Sequence, residues 1–249
     1  MSLDLDRITH PLRLARGSHQ PGSGKGCAMN VISYINGDAK ITDYPECSAR
    51  PLARMVQALN DRLAGPDGFL SPENSVIVLD LGWLTVGTAD TPREIAWRWL
   101  ADLLVHPEMG IVTTVRRVDV RDALIHVATL YMRESRGERV TVVEWRAARG
   151  QAQKAKNAAA ADTAAYTAAV AAAYAAADAA AYAAADAAAA ADAAAYAAAD
   201  AAAYAAAAAY ARITFTRWAI EHWRELAGLD TGPDIDVTAV DNALARIEG

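Results

Sequence analysis

Residues 27–35 form an apolar burst that stops at Asn36-Gly37, a dipeptide that marks turns. Ser48 followed by Pro51 reads as a helix start, and the apolar pattern runs on to Leu63. Ser71-Pro72-Glu73-Asn74 is a second start; the residues after it, 75–86, are β-branched enough to suit a strand as well as a helix. Thr91-Pro92-Arg93-Glu94 opens a helix that carries Trp97, Trp99 and Leu103 to His106-Pro107. Residues 111–118 fit either state. Residues 119–133 have the period of an amphipathic helix closed by Gly137, and residues 236–247 that of a shorter one.

From Ala155 to Ala211 this alternation gives way to near-continuous alanine. Tyr and Asp interrupt it mostly every fourth residue: Asp162, Tyr166, Tyr174, Asp178, Tyr182, Asp186, Asp192, Tyr196, Asp200, Tyr204 and, last, Tyr210. Alanine is the best helix former because it has no side-chain entropy to lose. The pattern predicts one helix from about residue 142 to 227, tolerating Gly150 and closed by Gly228, a rod of roughly 130 Å. A step of four turns the decorated position by about 40°, so an unbroken stripe would spiral round the helix. Shorter steps at Asp192 and Tyr210 reset the phase and keep Tyr174 to Tyr210 on one half of the circumference. The other half is alanine only. Ala191, Ala198 and Ala209 lie on it, and Ile213, Ile220 and Trp223 continue it as an apolar stripe. Such a smooth face suits close helix packing, as a docking surface for a helix of the same chain or of another copy. The competing explanation is repeat slippage of GC-rich codons, leaving a solvated helix.

The expected architecture is therefore mostly α. A small N-terminal helical domain, residues 1–140, packs on one very long Ala/Tyr/Asp-rich helix, residues 141–228, and a helical tail follows at 229–249. A net charge of −6 over 249 residues argues against general nucleic-acid binding. No secretory signal stands at residues 1–20, and alanine interrupted by Asp makes a poor membrane span, so a cytoplasmic protein is expected. Two cysteines are too few for a disulfide scaffold.

Candidate chemistry is sparse. Gly22-Ser23-Gly24-Lys25-Gly26 suggests a phosphate loop, but that pattern needs Gly where His19 stands and a hydroxyl where Gly26 stands. His19, Cys27, Asp43 and Cys47 carry the imidazole, thiolate and carboxylate groups that bind zinc, without the spacing of a recognised finger. The same residues also read as ordinary buried cysteines with a surface histidine, or as a Cys/His nucleophile pair. His126 fits a core boundary, and His222 sits among charges near a helix C-terminus. No catalytic residue or cofactor is expected, zinc being the one candidate ion.

Gly17-Ser18-His19, Cys27-Ala28-Met29-Asn30, Tyr44-Pro45-Glu46-Cys47 and Leu59-Asn60-Asp61 resemble the motifs of a family of uncharacterised actinobacterial and actinobacteriophage proteins. Its members show G-S-H, C-[AL]-M-E, D-H-P-x-C and [WL]-N-D segments, and many end in a long alanine-rich helix decorated every four residues. The resemblance implies no established activity. It implies a possible zinc set of two Cys and two His; this chain has Asn30 for the family's Glu and Tyr44 for its second His, leaving Asp43 or water as fourth ligand. The functional expectation is a non-enzymatic structural or interaction protein that uses its alanine face to bind itself or another helical protein. The alternative is a small zinc- or cysteine-dependent protein centred on His19, Cys27 and Cys47.

Overall fold

The computed structural model describes residues 10, 12–19, 22–159, 209–229 and 235–248. They are mostly helical, with no strand among them beyond two isolated antiparallel bridges. The chain divides into two compact units, Met1–Asp90 with Gly228–Gly249, and Thr91–Ala227. A sequential division at residues 140 and 228 does not anticipate that the C-terminal helix belongs with the first unit.

The first unit contains α1 (Ala28–Asn36), α2 (Arg50–Leu63), α3 (Pro72–Leu84) and, from the far end of the chain, α8 (Val237–Glu248). Helix α1 packs on α2, α3 and α8 and is buried from Ala28 to Ser33. It stops at Gly37, which adopts the left-handed conformation (φ 76°) that Gly alone reaches without strain. Of residues 75–86, 75–84 are helix, because Ser71 accepts the Asn74 N–H and Pro72 sits in the first turn; Thr85 caps it and Val86 bridges Ser48. Helix α3 faces α1 at Gly82, where a Cβ would make ordinary contacts, 3.4 Å from Ile32 Cγ1 and 3.5 Å from Met29 Sδ. The cap expected of Ser48 falls to Ala49, since Ser48 Oγ instead shares a hydrogen bond with Thr85 Oγ1 at 2.8 Å. The extended residues Leu14–Arg16 are pinned on both sides. Ala15 N donates to Gly26 O, Arg16 N to Gly68 O, and Leu14 O accepts from Leu70 N.

The second unit contains α4 (Arg93–Val105), α5 (Val118–Ser135), α6 (Val142–Ala158) and α7 (Ala209–Leu226). The ambiguous stretch after α4 is a single 3₁₀ turn, Ile111–Thr114. Helix α4 packs on α5 and α7, and α5 packs on α6. A run of aromatic contacts forms the core. Trp97 stacks on Tyr131 at 5.4 Å, Tyr131 meets Trp145 at 5.2 Å, and Trp99 meets Trp223 edge-on at 5.1 Å. The Trp99 indole N–H donates to Ala219 O at 2.7 Å.

The one helix expected over residues 142–227 is not confirmed, being described only at its two ends, α6 and α7. Helix α6 does begin at Val142, through a capping box in which Thr141 and Glu144 exchange hydrogen bonds. It is 17 residues long, and α7 is 18. The Trp145 and Trp223 rings both lie on the α4–α5 pair, linked through Trp97 and Trp99, two residues apart on α4. Local propensity is blind to such long-range anchoring. Residues 160–208, with Ala191 and Ala198, lie outside the described residues. No described helix is long and apolar enough to cross a membrane.

Candidate functional site

The first unit buries a carboxylate that forms no ion pair among the described residues. Asp43, 7% exposed, follows α1 in a loop and lies against the starts of α1 and the middle of α2. Four side chains donate to it. Asn30 Nδ2 reaches Oδ1 at 3.0 Å, Cys27 Sγ reaches the same oxygen at 3.4 Å, and Gln57 Nε2 reaches Oδ2 at 2.7 Å. Ser18 Oγ completes the set on Oδ2. A buried charge costs far less when hydrogen bonds replace its water, and four donors fill most of a carboxylate's lone-pair sites.

A second ring of contacts holds these donors in place. Asn30 Oδ1 accepts the Cys27 N–H, fixing the turn that starts α1. Asn60 Oδ1 accepts the Ala28 N–H at 3.4 Å, and Asn60 Nδ2 donates to Ala15 O at 2.9 Å. Asp61 Oδ1 accepts the Gly17 N–H at 2.8 Å, which sets Ser18 beside Asp43. Gly17, Ser18, Cys27, Asn30, Asn60 and Asp61, scattered over 45 residues of sequence, thus join one network. The same contacts answer the phosphate-loop question. The first N–H groups of α1, which a phosphate would need, are already spent on Asn30 and Asn60.

Of the four residues expected around a metal, the structure joins two, Cys27 and Asp43. His19 follows Ser18; it is half-buried and its Nε2 is enclosed without a hydrogen-bond partner. Cys47 stands on another arm: its Sγ lies 3.8 Å from Ser48 Oγ and its carbonyl accepts the Gly87 N–H. Among the described residues, no three His, Cys, Asp or Glu converge as metal ligands would. Burial, and then the Asp43 charge, push the Cys27 thiol far above its ordinary range, so it serves as a donor rather than a thiolate. Burial raises the Cys47 thiol as well.

Sequence reading misses Ser18 and Gln57. Gln57 and Asn60, three apart on the otherwise apolar buried face of α2, are the usable signal: a buried amide demands a partner.

In the second unit, the described end of the alanine face is core. Ile220 and Trp223 are 0% and 2% exposed, and the Trp223 indole donates to Thr91 Oγ1 at 3.2 Å; Ile213 is half-buried. Nothing is described of the Ala209 side chain. His222 stacks on Trp218 with rings 10° apart and bonds Asp102 Oδ2 through Nε2 at 2.9 Å. His126 Nδ1 meets Gln151 Oε1 at 2.7 Å across α5 and α6, a boundary position.

Compared with protein-family models, curated proteins and solved structures, the chain matches none.

Proposed function

We propose that this is a non-enzymatic structural or interaction protein of the cytoplasm whose alanine-rich segment docks another copy of itself or a helical partner. One observation carries the reading: Trp145 and Trp223, on the helices that flank the alanine run, are both anchored to the α4–α5 pair. The alanine run therefore has both its described flanks moored to one folded support. The phase of its Tyr and Asp residues reserves one half of a helix for alanine alone. The closed chemistry of the first unit supports the same view, since a carboxylate saturated by four donors and a protonated thiol have little left for substrate.

The test compares Ala198→Leu with Ala197→Leu in the full chain, by light scattering and thermal melting. Both substitutions keep helix propensity. Overpacking a docked alanine face costs about 1–3 kcal/mol, so Ala198→Leu dissociates the assembly or lowers its melting temperature while Ala197→Leu does neither. A chain that is monomeric at every concentration, with equal and small effects of both variants, defeats the proposal.

The zinc- or cysteine-dependent reading keeps one observation in its favour, the enclosed and unpartnered Nε2 of His19 one residue from the Asp43 network. Near-stoichiometric zinc in elemental analysis of the purified protein would put that reading first.

A further inference from the structure

A groove of about 250 Å³ in the first unit lies apart from the Asp43 network. Its floor is Leu14 with Leu244 and Ile247 of α8, all under 10% exposed. Phe69 lines it, and the glycine loop closes it through Gly24 and Gly26. The two glycines contribute differently. A Cβ on Gly26 would stand 2.7 Å from Ile247 Cδ1 and 3.2 Å from its Cγ1, so the Ile247 side chain would have to shift. Gly24, at φ +67°, would put its Cβ into open space, which leaves the mouth clear.

The charges around this apolar floor do not balance. Arg13 Cζ lies 3.9 Å from the Phe69 ring centre and Lys25 Nζ 5.4 Å from it, so two cations converge on one ring. One carboxylate answers them: Asp67 Oδ2 accepts from Arg13 Nη2 at 2.8 Å, with both side chains more than half exposed. Such an exposed pair is weakly held and readily exchanged. Among the described residues, the Lys25 ammonium has neither a hydrogen bond nor an ion pair. An aromatic wall, an aliphatic floor and a surplus cation at the rim are complementary to a ligand that is apolar along its body and negative at one end.

We propose that this groove binds a small amphipathic anion, a carboxylate or phosphate head on a short aliphatic or aromatic body. The head meets Lys25 and displaces Asp67 from Arg13, and the body lies on Leu14, Leu244 and Ile247. The glycine loop, unsuited to nucleotide phosphates, thereby holds the rim of an apolar site. The proposal is independent of the docking role of the alanine segment.

The experiment titrates the full chain with octanoate, its neutral analogue octanamide, and inorganic phosphate, followed by saturation-transfer NMR and calorimetry. Octanoate is expected to bind saturably, with octanamide and inorganic phosphate each roughly tenfold weaker or undetected, the scale of losing one charge contact at the surface or the apolar burial. Lys25→Gln, an exposed change checked for fold by circular dichroism, weakens octanoate by a similar factor and leaves octanamide unaffected. Absence of octanoate binding, equal binding of octanamide or inorganic phosphate, or octanoate binding unchanged by Lys25→Gln overturns the assignment.

Discussion

Replacing Asp43 with Ala removes the acceptor of four side chains at once. The cost falls unevenly among them. Asn30 and Gln57 are 2% and 4% exposed, so their amide donors have no ready access to water when the carboxylate goes. Each buried donor left without a partner costs about 1–3 kcal/mol. The Cys27 S–H is a weak donor and adds little, and Ser18 is exposed and finds solvent. A loss of about 3–5 kcal/mol follows for Asp43→Ala, a large part of the ~5–15 kcal/mol that holds a typical domain. Urea unfolding of the full chain followed by circular dichroism gives the magnitude. Hydrogen exchange read by mass spectrometry gives the place: peptides from α1 and α2 exchange faster, while those from α4 and α5 do not. Ser23→Ala is the control and stays within about 0.5 kcal/mol, because its exposed hydroxyl reaches only the Lys25 carbonyl of its own loop. A loss under about 1 kcal/mol for Asp43→Ala, or acceleration spread equally over α4 and α5, would refute the view that this carboxylate organises the first unit.

Trp99→Ala removes a fully buried ring, its edge-on contact with Trp223 and its bond to Ala219 O, and is expected to cost about 3–5 kcal/mol in a thermal melt of the second unit. Thr141→Ala breaks the capping box at the start of α6 and should cost about 1 kcal/mol, with faster hydrogen exchange in the first turn of that helix. The hydrogen bond to Asp102 holds His222 above the ordinary histidine range despite its burial. Among the described residues, Arg98 on α4, Glu225 on α7 and His106 beyond α4 are the other titratable or charged groups that touch that pair. Because the folded value is raised, the stabilisation is complete below about pH 6.5 and is lost as pH climbs through the folded value. Urea midpoints measured from about pH 5.5 to about 8.5 should therefore fall with pH in the native chain and vary less in His222→Gln; parallel curves would sink this account.

Features that depend on a few neighbouring residues were legible before the fold was known. Ser71-Pro72 starts α3, Asn36-Gly37 ends α1, and Gly137, at φ 76°, follows the end of α5, because caps and left-handed glycines act within one turn. What spans the chain was not legible. The alanine run has overwhelming helix propensity, yet propensity says nothing of where Trp145 and Trp223 are moored. Cysteine, histidine and aspartate spacing nominated four residues for one site, and only Cys27 and Asp43 meet. The chemistry that unites them runs through Ser18, Asn30 and Gln57, polar residues whose burial depends on tertiary packing. Gly17-Ser18-His19, Cys27-Ala28-Met29-Asn30 and Leu59-Asn60-Asp61 each contribute residues to that network, and Tyr44-Pro45-Glu46-Cys47 does not.

The return of α8 to α1 makes the second unit an insertion within the first. That topology dictates an order of events during synthesis. The second unit is encoded without interruption from residue 91 to 227, so all four of its described α-helices have been made once α7 has emerged from the ribosome. The first unit does not, although its first ninety residues emerge earlier: Val237, Val240, Leu244 and Ile247, which bury themselves as α8 packs on α1, are made after the whole insertion. Until then the apolar surface of α1 that awaits them stays open, so the N-terminal part of this protein is the part that waits longest for its core and has most to gain from a chaperone.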